Sequence, residues 1–478
     1  MPTTVVWLAR SLRLADHPAL AHAAERGAVV PVFVWAPDEE APHEPGGAHR
    51  WWLHESLAAL ADDLGARGSR LTLRSGPTAD ALVGVARAVG ADRVVWQAHA
   101  EPHLAARDAD IAARLGEAGL ETRTFAGQLL HDPEAVRTGS GGPYGVFGPF
   151  WRKVQAETAV GDPLPAPALA APEAWPESAA LASFALTPEQ QDGVDWAGGL
   201  RDTWTPGEAG ATERLEALVA ERLHGYADAR DRPGTEGTSR LSPHLHWGEV
   251  SPRQVRTAVR QATASPEDAG KFHAELAWRE FSYHVLHHNP HTAEHPLKPA
   301  FARFPWRDDA AGDRAWRRGE TGFPIVDAGM RELRATGWMH NRARLVTASF
   351  YTKDLLLPWQ AGAAHFWDQL CGGDLANNSM GWQWSAGSGA DAQPFFRVFN
   401  PTAQGERFDA AGDYVRRWVP ELAGLSKAYI HRPAEAPPAV LHAAGVRLGE
   451  TYPRPLVDHA TRRVEALAAL KATAAATV

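Results

Sequence analysis

The chain has almost no cysteine: Cys371 is the only one in 478 residues. That excludes an internal disulfide and any metal site built from clustered thiolates, and it suits a reducing cytoplasm. Long apolar runs are missing too. None approaches the roughly 20 residues that a membrane-spanning helix requires, so no membrane association is expected. The opening MPTTVVWLAR has neither the basic region nor the apolar stretch of a secretory leader. No G-x-G-x-x-G follows the first apolar run, so a dinucleotide fingerprint is absent there. Histidine is plentiful, at 22, but HLH (244–246) and LHHNPH (286–291) lack a catalytic-zinc spacing such as H-E-x-x-H. No metal site is expected. Repeats and coiled-coil heptads are absent as well.

A basic excess is also lacking. The net charge of −9 argues mildly against a nucleic-acid partner, although phosphates need Lys and Arg on one face rather than in the total. RELRATGWMHNRAR (331–344) carries four arginines against one glutamate. Arg397 and the pair Arg230 and Arg232 add to such a patch. Scattered arginines equally make an ordinary solvated surface.

What is present fits a soluble protein of two domains. A chain of 51.7 kDa exceeds what one core usually covers. Hydrophobic content of 44% and charged content of 22% are those of a globular protein. Residues 1–130 alternate β-rich runs (VVWLA 5–9, VVPVFVW 29–35, RLTLR 70–74, RVVWQ 93–97) with helical ones (49–66, 80–90, 101–119). Such alternation predicts an α/β domain, a parallel sheet with helices on both faces. Residues 131–205 are rich in Pro, Ala and Gly and read as an interdomain linker. From 206 to 478 the β signal disappears. Helical spacing and capping residues over 211–230, 251–263, 271–288 and 327–337 predict an all-helical second domain. Ser251-Pro252 looks like an N-cap with proline at the first helical position.

The stretch LCGGDLANNSMGWQWSAGSGADAQPFFRVFN (370–400) says most about function. A polar, Gly-rich approach followed by paired indoles, Trp382 and Trp384, suits a pocket for a large aromatic cofactor. Upstream lie GTSRLSPHLHWGE (237–249), ELAWREF (275–281), GWMHNRAR (337–344) and LLPWQ (356–360). Together these closely resemble the photolyase/cryptochrome family of flavoproteins, nearest the class I photolyases that repair cyclobutane pyrimidine dimers in DNA. The resemblance runs from Trp7-Leu-Ala-Arg-Ser-Leu-Arg13 to about Trp418.

The resemblance implies FAD in the helical domain, held by Tyr226, Thr238, Ser239, Arg240, Leu241, Ser242, Arg344, Asp374 and Asn378. Hydroxyls and N–H groups in a Gly-Thr-Ser turn before a helix suit phosphate, though a lone GTS is also an ordinary N-cap. Asn378 faces flavin N5 in this reading, and a neutral amide can donate or accept. Plant cryptochromes typically carry aspartate there. The chain departs from the family at Gly372, where an aspartate usually pairs with the arginine matching Arg344. A buried arginine without a carboxylate is costly, so another partner or water must serve Arg344.

Trp306, Trp359 and Trp382 match the family's electron-transfer series, against a background of 19 tryptophans of which most simply pack. Trp278 and Trp384 offer flat apolar walls to a flipped-out dimer. Glu275, on the same helical face as Trp278, and Asn341 would hydrogen-bond the pyrimidine edge. Glu275 otherwise reads as an exposed helix acid. The related (6-4) photolyases typically show histidine where Asn341 stands. Arg230, Arg342, Arg397 and Gln404 would grip flanking phosphates, which position the strand without reading sequence.

The implied activity is that of a deoxyribodipyrimidine photo-lyase, driven by light through reduced FAD, with UV-damaged DNA as partner and a cytoplasmic monomer as the working form. In this family the first domain would also hold an antenna chromophore, a methenyltetrahydrofolate or an 8-hydroxy-deazaflavin, and an empty antenna site is the alternative, since that domain has structural reasons to exist. Glu101 matches a folate contact and His43 falls nearby. The alternative is a cryptochrome-like blue-light receptor without repair. Asn341, Asn378, Trp384 and the short tail KATAAATV speak against it.

Overall fold

The computed structural model describes residues 1–157, 160–187, 195–392 and 396–475. The chain divides into two compact units that interleave in sequence. The first comprises Met1–His224, Ser239–His288 and Cys371–Asp374; the second comprises Gly225–Thr238, Asn289–Leu370 and Leu375–Val478.

The first unit is built on a five-stranded parallel sheet in the order β3-β2-β1-β4-β5. Its strands are β1 (Thr3–Trp7), β2 (Ala28–Trp35), β3 (Thr72–Ser75), β4 (Arg93–Gln97) and β5 (Glu121–Phe125). The helices Pro18–Ala24, Gly47–Ala66, Thr78–Val89 and Pro102–Glu117 make the crossovers. Every residue of β1 and β4 is buried, as both faces of a helix-covered parallel sheet require. Val5, Trp7, Val30, Val32, Val94 and Trp96 meet Leu82 and Val85 of the Thr78–Val89 helix in the core. Pro31 sits inside β2, opposite Val6, where a proline usually breaks a ladder. Val29 donates its N–H to Ala170, on the side away from β1. The missing donor at 31 falls on that same side, just before β3 begins its pairing at Val32 and Thr72, so no ladder bond is lost.

The Pro-rich stretch is tied down at several points. Phe147–Glu157 forms a helix, Ala28 and Ala170 form a parallel bridge, and Leu164 and Ala179 donate to Asp16 and Leu73. Residues 158–159 and 188–194 of it, and the last three of KATAAATV, lie outside the described residues. Ser251 caps the Pro252–Gln261 helix in a reciprocal capping box with Gln254, which satisfies two otherwise orphan amides.

The second unit is helical among its described residues. Trp316, Val326, Met330, Leu333, Val346, Tyr351, Phe366, Trp382 and Tyr414 form its core. The Trp359–Gln369 and Leu375–Ala386 helices pack closely at Gly362, where a Cβ would lie 2.2 Å from the Trp382 ring. Only glycine admits the indole at that distance.

Candidate functional site

In the second unit, Trp382 is 3% exposed and takes ring edges from Phe366 (5.1 Å), Tyr351 (5.8 Å) and Trp316 (6.0 Å). Trp359, 2% exposed, begins the helix on which Trp382 rests. Trp306 is half-buried against Phe304 at 4.3 Å. The three indoles thus include two interior rings and one that reaches solvent. Asn378 lies one turn before Trp382, and its Nδ2 donates to the Ala363 carbonyl at 3.0 Å. That bond fixes which way the amide faces. The carbonyl oxygen and the second N–H are left for another partner.

Tyr226 is buried in a one-turn helix entered through Gly225, whose φ of 76° is left-handed. Arg344 is half-buried and donates Nε to the Met339 carbonyl at 2.8 Å. A carbonyl therefore supplies part of what the missing aspartate would give. Arg342 meets Asp231 at 2.7 Å and lies over the Phe408 ring at 4.1 Å. Asn341 is exposed at the start of the Asn341–Ser349 helix. Trp384, Arg397 and Phe399 line one small cavity with Ser385, Gly387 and Asp391. Arg230 and Gln404 are half-buried, and Thr238 likewise. Sequence reasoning missed Lys353. It is 1% exposed, donates Nζ to the Arg397 carbonyl at 2.9 Å and sits 3.8 Å from the Phe396 ring centroid. Burial drives its ammonium down to about 7.

In the first unit, Glu275 and Trp278 lie on the Pro266–His288 helix. Glu275 pairs with Lys271 at 3.6 Å. Phe147 stacks flat on Trp278, with Phe281 against it edge-on. Phe147 was hidden because its segment has linker composition. The aromatic spacing of Phe147, Phe150 and Trp151 was the available signal.

Ser239, Arg240, Leu241 and Ser242 form the turn before Ser242–Trp247, a helix of only six residues. Any phosphate held there depends on hydroxyls and turn amides, because six residues give little dipole. Arg240 has a φ of 52°, a conformation that non-glycine residues adopt at a cost. Two residues of this motif carry unsatisfied nitrogens. His246 is 2% exposed, and among the described residues neither of its ring nitrogens finds a partner, nor does His244 Nε2. Buried polar atoms in that condition mark a place for a polar group, so the first-unit residues expected to hold FAD fit such a ligand. Asp374 is buried within the electrostatic reach of Tyr283 and Arg279. A Cβ on Gly372 would sit 2.4 Å from Pro243 Cα. An aspartate at 372 therefore requires the Ser242–Pro243 backbone to shift.

Glu101 is fully buried, with Arg10 at 3.1 Å and Gln128 at 3.3 Å on its two oxygens. Burial alone would raise its carboxyl, but Arg10 holds it below the usual range. His43 is half-buried, its ring 5.3 Å from that of His103. A narrow cleft lined by Trp7, Arg10, Glu40, His99, Arg107 and Trp247 lies in the same unit. Burial also pushes the Cys371 thiol well up, so it is chemically inert.

One unit is parallel α/β and the other helical with buried tryptophans, a two-part α/β and helical architecture. The chain belongs to the photolyase/cryptochrome family. Residues 4–169 match the family model described as DNA photolyase, and residues 272–472 match the FAD-binding domain of DNA photolyase. It is 47% identical to a deoxyribodipyrimidine photo-lyase of Agrobacterium fabrum, over 98% of this chain and 97% of that one. Cryptochrome-2 of Arabidopsis thaliana is 38% identical over 96% of this chain and 77% of its own. Among solved structures, a bacterial class III photolyase from Agrobacterium tumefaciens superimposes with a TM-score of 0.95 at 46% identity, covering 99% and 98% of the two chains. The expectation of class I is not carried by these matches, because that solved relative is class III. An archaeal photolyase from Sulfolobus tokodaii, with two FAD molecules, matches at a TM-score of 0.82 and 26% identity over 98% of this chain and 99% of its own.

Proposed function

We propose that the chain is a deoxyribodipyrimidine photo-lyase that splits cyclobutane pyrimidine dimers in DNA. The observation that carries this reading is Trp278, a half-buried indole with one face sealed by Phe147. An unstacked dimer needs a rigid flat wall, and a ring already braced from one side provides it without further ordering. Trp384, beside Arg397 in their shared cavity, adds an indole next to a phosphate-binding cation.

Tyr226, Thr238, Ser239, Arg240, Leu241, Ser242, Arg344, Asp374 and Asn378 are the FAD residues of this reading. When bound and reduced, FAD supplies the light-driven electron that opens the cyclobutane ring. The protein's own residues orient and exclude water. Asn378, pinned by Ala363, presents a fixed amide. Trp306, Trp359 and Trp382 carry reducing electrons inward. Glu275 and Asn341 hold the pyrimidine edge, while Arg230, Arg342, Arg397 and Gln404 hold the strand. His43 and Glu101 belong to the antenna part of the reading. Glu101 acts there through the buried Arg10 pair, and the chromophore is a folate or a deazaflavin. The working form is a cytoplasmic monomer; no helix among the described residues is long and apolar enough to cross a membrane.

The test is a single-thymine-dimer oligonucleotide with reduced protein, illuminated at blue wavelengths beside a dark control. Light-dependent recovery of intact thymines supports the reading. The 38% identity to plant cryptochromes favours one competitor, a blue-light receptor. Bound FAD with no repair in the light would transfer the claim to it.

A further inference from the structure

The geometry points to a site for a divalent transition-metal cation, zinc-like in its preferences, made by Glu134, His287 and His288 in the first unit. Their ligand atoms all lie within 4.8 Å of one another. His287 Nε2 is 3.0 Å from Glu134 Oε2, and His288 Nδ1 is 4.0 Å from that same oxygen. The second of these distances is the informative one. His288 Nε2 lies 3.0 Å from the Pro133 carbonyl, which accepts only, so that nitrogen carries the proton. Nδ1 is then a bare lone pair facing a carboxylate oxygen, an acceptor set against an acceptor. His284 fixes the frame: its Nδ1 also donates to Pro133, at 3.2 Å, while its Nε2 accepts from the Tyr144 amide at 2.9 Å. Pro133 is thereby held in place, and His288 cannot turn its proton toward Glu134 without breaking that bond.

A cation resolves the opposition. Zinc at about 2.0 to 2.1 Å from each of its ligands sets them about 3.3 Å apart in a tetrahedron, and the observed 3.0 and 4.0 Å bracket that spacing. Two imidazoles and one carboxylate are a borderline-soft donor set suited to zinc, copper or nickel rather than magnesium. His288 is also the last residue of the 23-residue Pro266–His288 helix, whose C-terminal end favours positive charge. Arg137 pairs with the other oxygen of Glu134. Its charge opposes the cation and weakens the site. Glu134 and His287 are separated by 153 residues, so no linear spacing announces the site. Once filled, it ties residues 133–137 to the helix that carries Glu275 and Trp278.

The test uses the full chain stripped by chelator, with zinc added in equilibrium dialysis and the metal counted. The site binds one zinc per chain, and Glu134→Gln and His288→Ala each weaken it by more than roughly a hundredfold, beyond the roughly 10–100-fold that loss of an outer-shell partner typically costs. His442→Ala, an exposed histidine elsewhere, leaves it unchanged. Copper(II) substituted at the site shows two imidazole nitrogens in its electron paramagnetic resonance, and one in His288→Ala. Zinc also raises the melting temperature of the parent but not of Glu134→Gln, a variant that keeps the side chain's shape. Unchanged zinc affinity in Glu134→Gln, or an unchanged copper spectrum in His288→Ala, overturns the proposal, as does the absence of stoichiometric zinc in the parent.

Discussion

Phe147 and Trp278 lie face to face, ring centroids 3.8 Å apart and planes within 9°. One comes from a segment with linker composition, the other from the helix that carries Glu275. An aromatic pair of this kind contributes about 0.5–1.5 kcal/mol beyond buried area. Phe147→Ala frees the indole, so dimer binding weakens by about two- to tenfold while bound flavin stays constant. Anisotropy on dimer-containing and intact oligonucleotides, read beside the flavin absorbance, checks this. An equal loss of flavin would show that the ring serves the fold instead.

Gly372 cannot be treated as a simple reversion site. Its Cβ would meet Pro243 Cα at 2.4 Å, and overpacking of this kind costs about 1–3 kcal/mol. Gly372→Ala therefore lowers stability in urea denaturation, and Gly372→Asp lowers it further, with flavin content falling alongside. An aspartate variant as stable as the parent would mean that the Ser242–Pro243 backbone yields easily.

Glu280 gives the chain a pH dependence of definite sign. It is 3% exposed, and burial raises its carboxyl from 4.5 to about 7, against the opposing pull of Arg279 and the amides of Leu130 and His131. The folded chain then keeps a proton that the unfolded chain has released. Stability from this group is full below 4.5 and is lost as pH rises toward about 7, a change on the order of 3 kcal/mol across the window. Glu280→Gln removes that slope. Denaturation midpoints at pH 5 and pH 7.5, compared in both proteins, decide it.

Two of the three arginines proposed to hold phosphate differ in what they already hold. Arg342 pairs with Asp231 and covers Phe408. Arg397 is exposed, and among the described residues no carboxylate pairs with it. Arg397→Ala reduces the salt dependence of DNA binding by about 1 in log–log slope, and Arg342→Ala reduces it by less. Equal slopes would mean that Asp231 releases Arg342 on binding.

The strands with continuous apolar runs were legible from sequence because parallel strands buried on both faces need them. RVVWQ is β4 residue for residue. ETRTF was missed. It forms the edge strand β5, with two of its five residues partly buried and none fully, and nothing in its hydropathy marks it. The run 211–230 reads as one helix, whereas the structure has Glu208–Ala217, a π turn at Leu218–Arg222 and a fresh turn after the left-handed Gly225. The tryptophans of the second unit were visible as motifs because each sits in a distinctive local context. Phe147 and Lys353 were not, since their meaning comes from partners 131 and 44 residues away. Gly372 was visible as a departure. Its cause, the approach of Pro243, exists only in three dimensions.

Cys371, the one thiol, is fully buried. A cysteine introduced anywhere on the surface therefore becomes a unique chemical handle without further engineering. A spin label or dye placed beside Trp384 or on the Pro266–His288 helix reports from a single known position, and the native chain is its own unlabelled control.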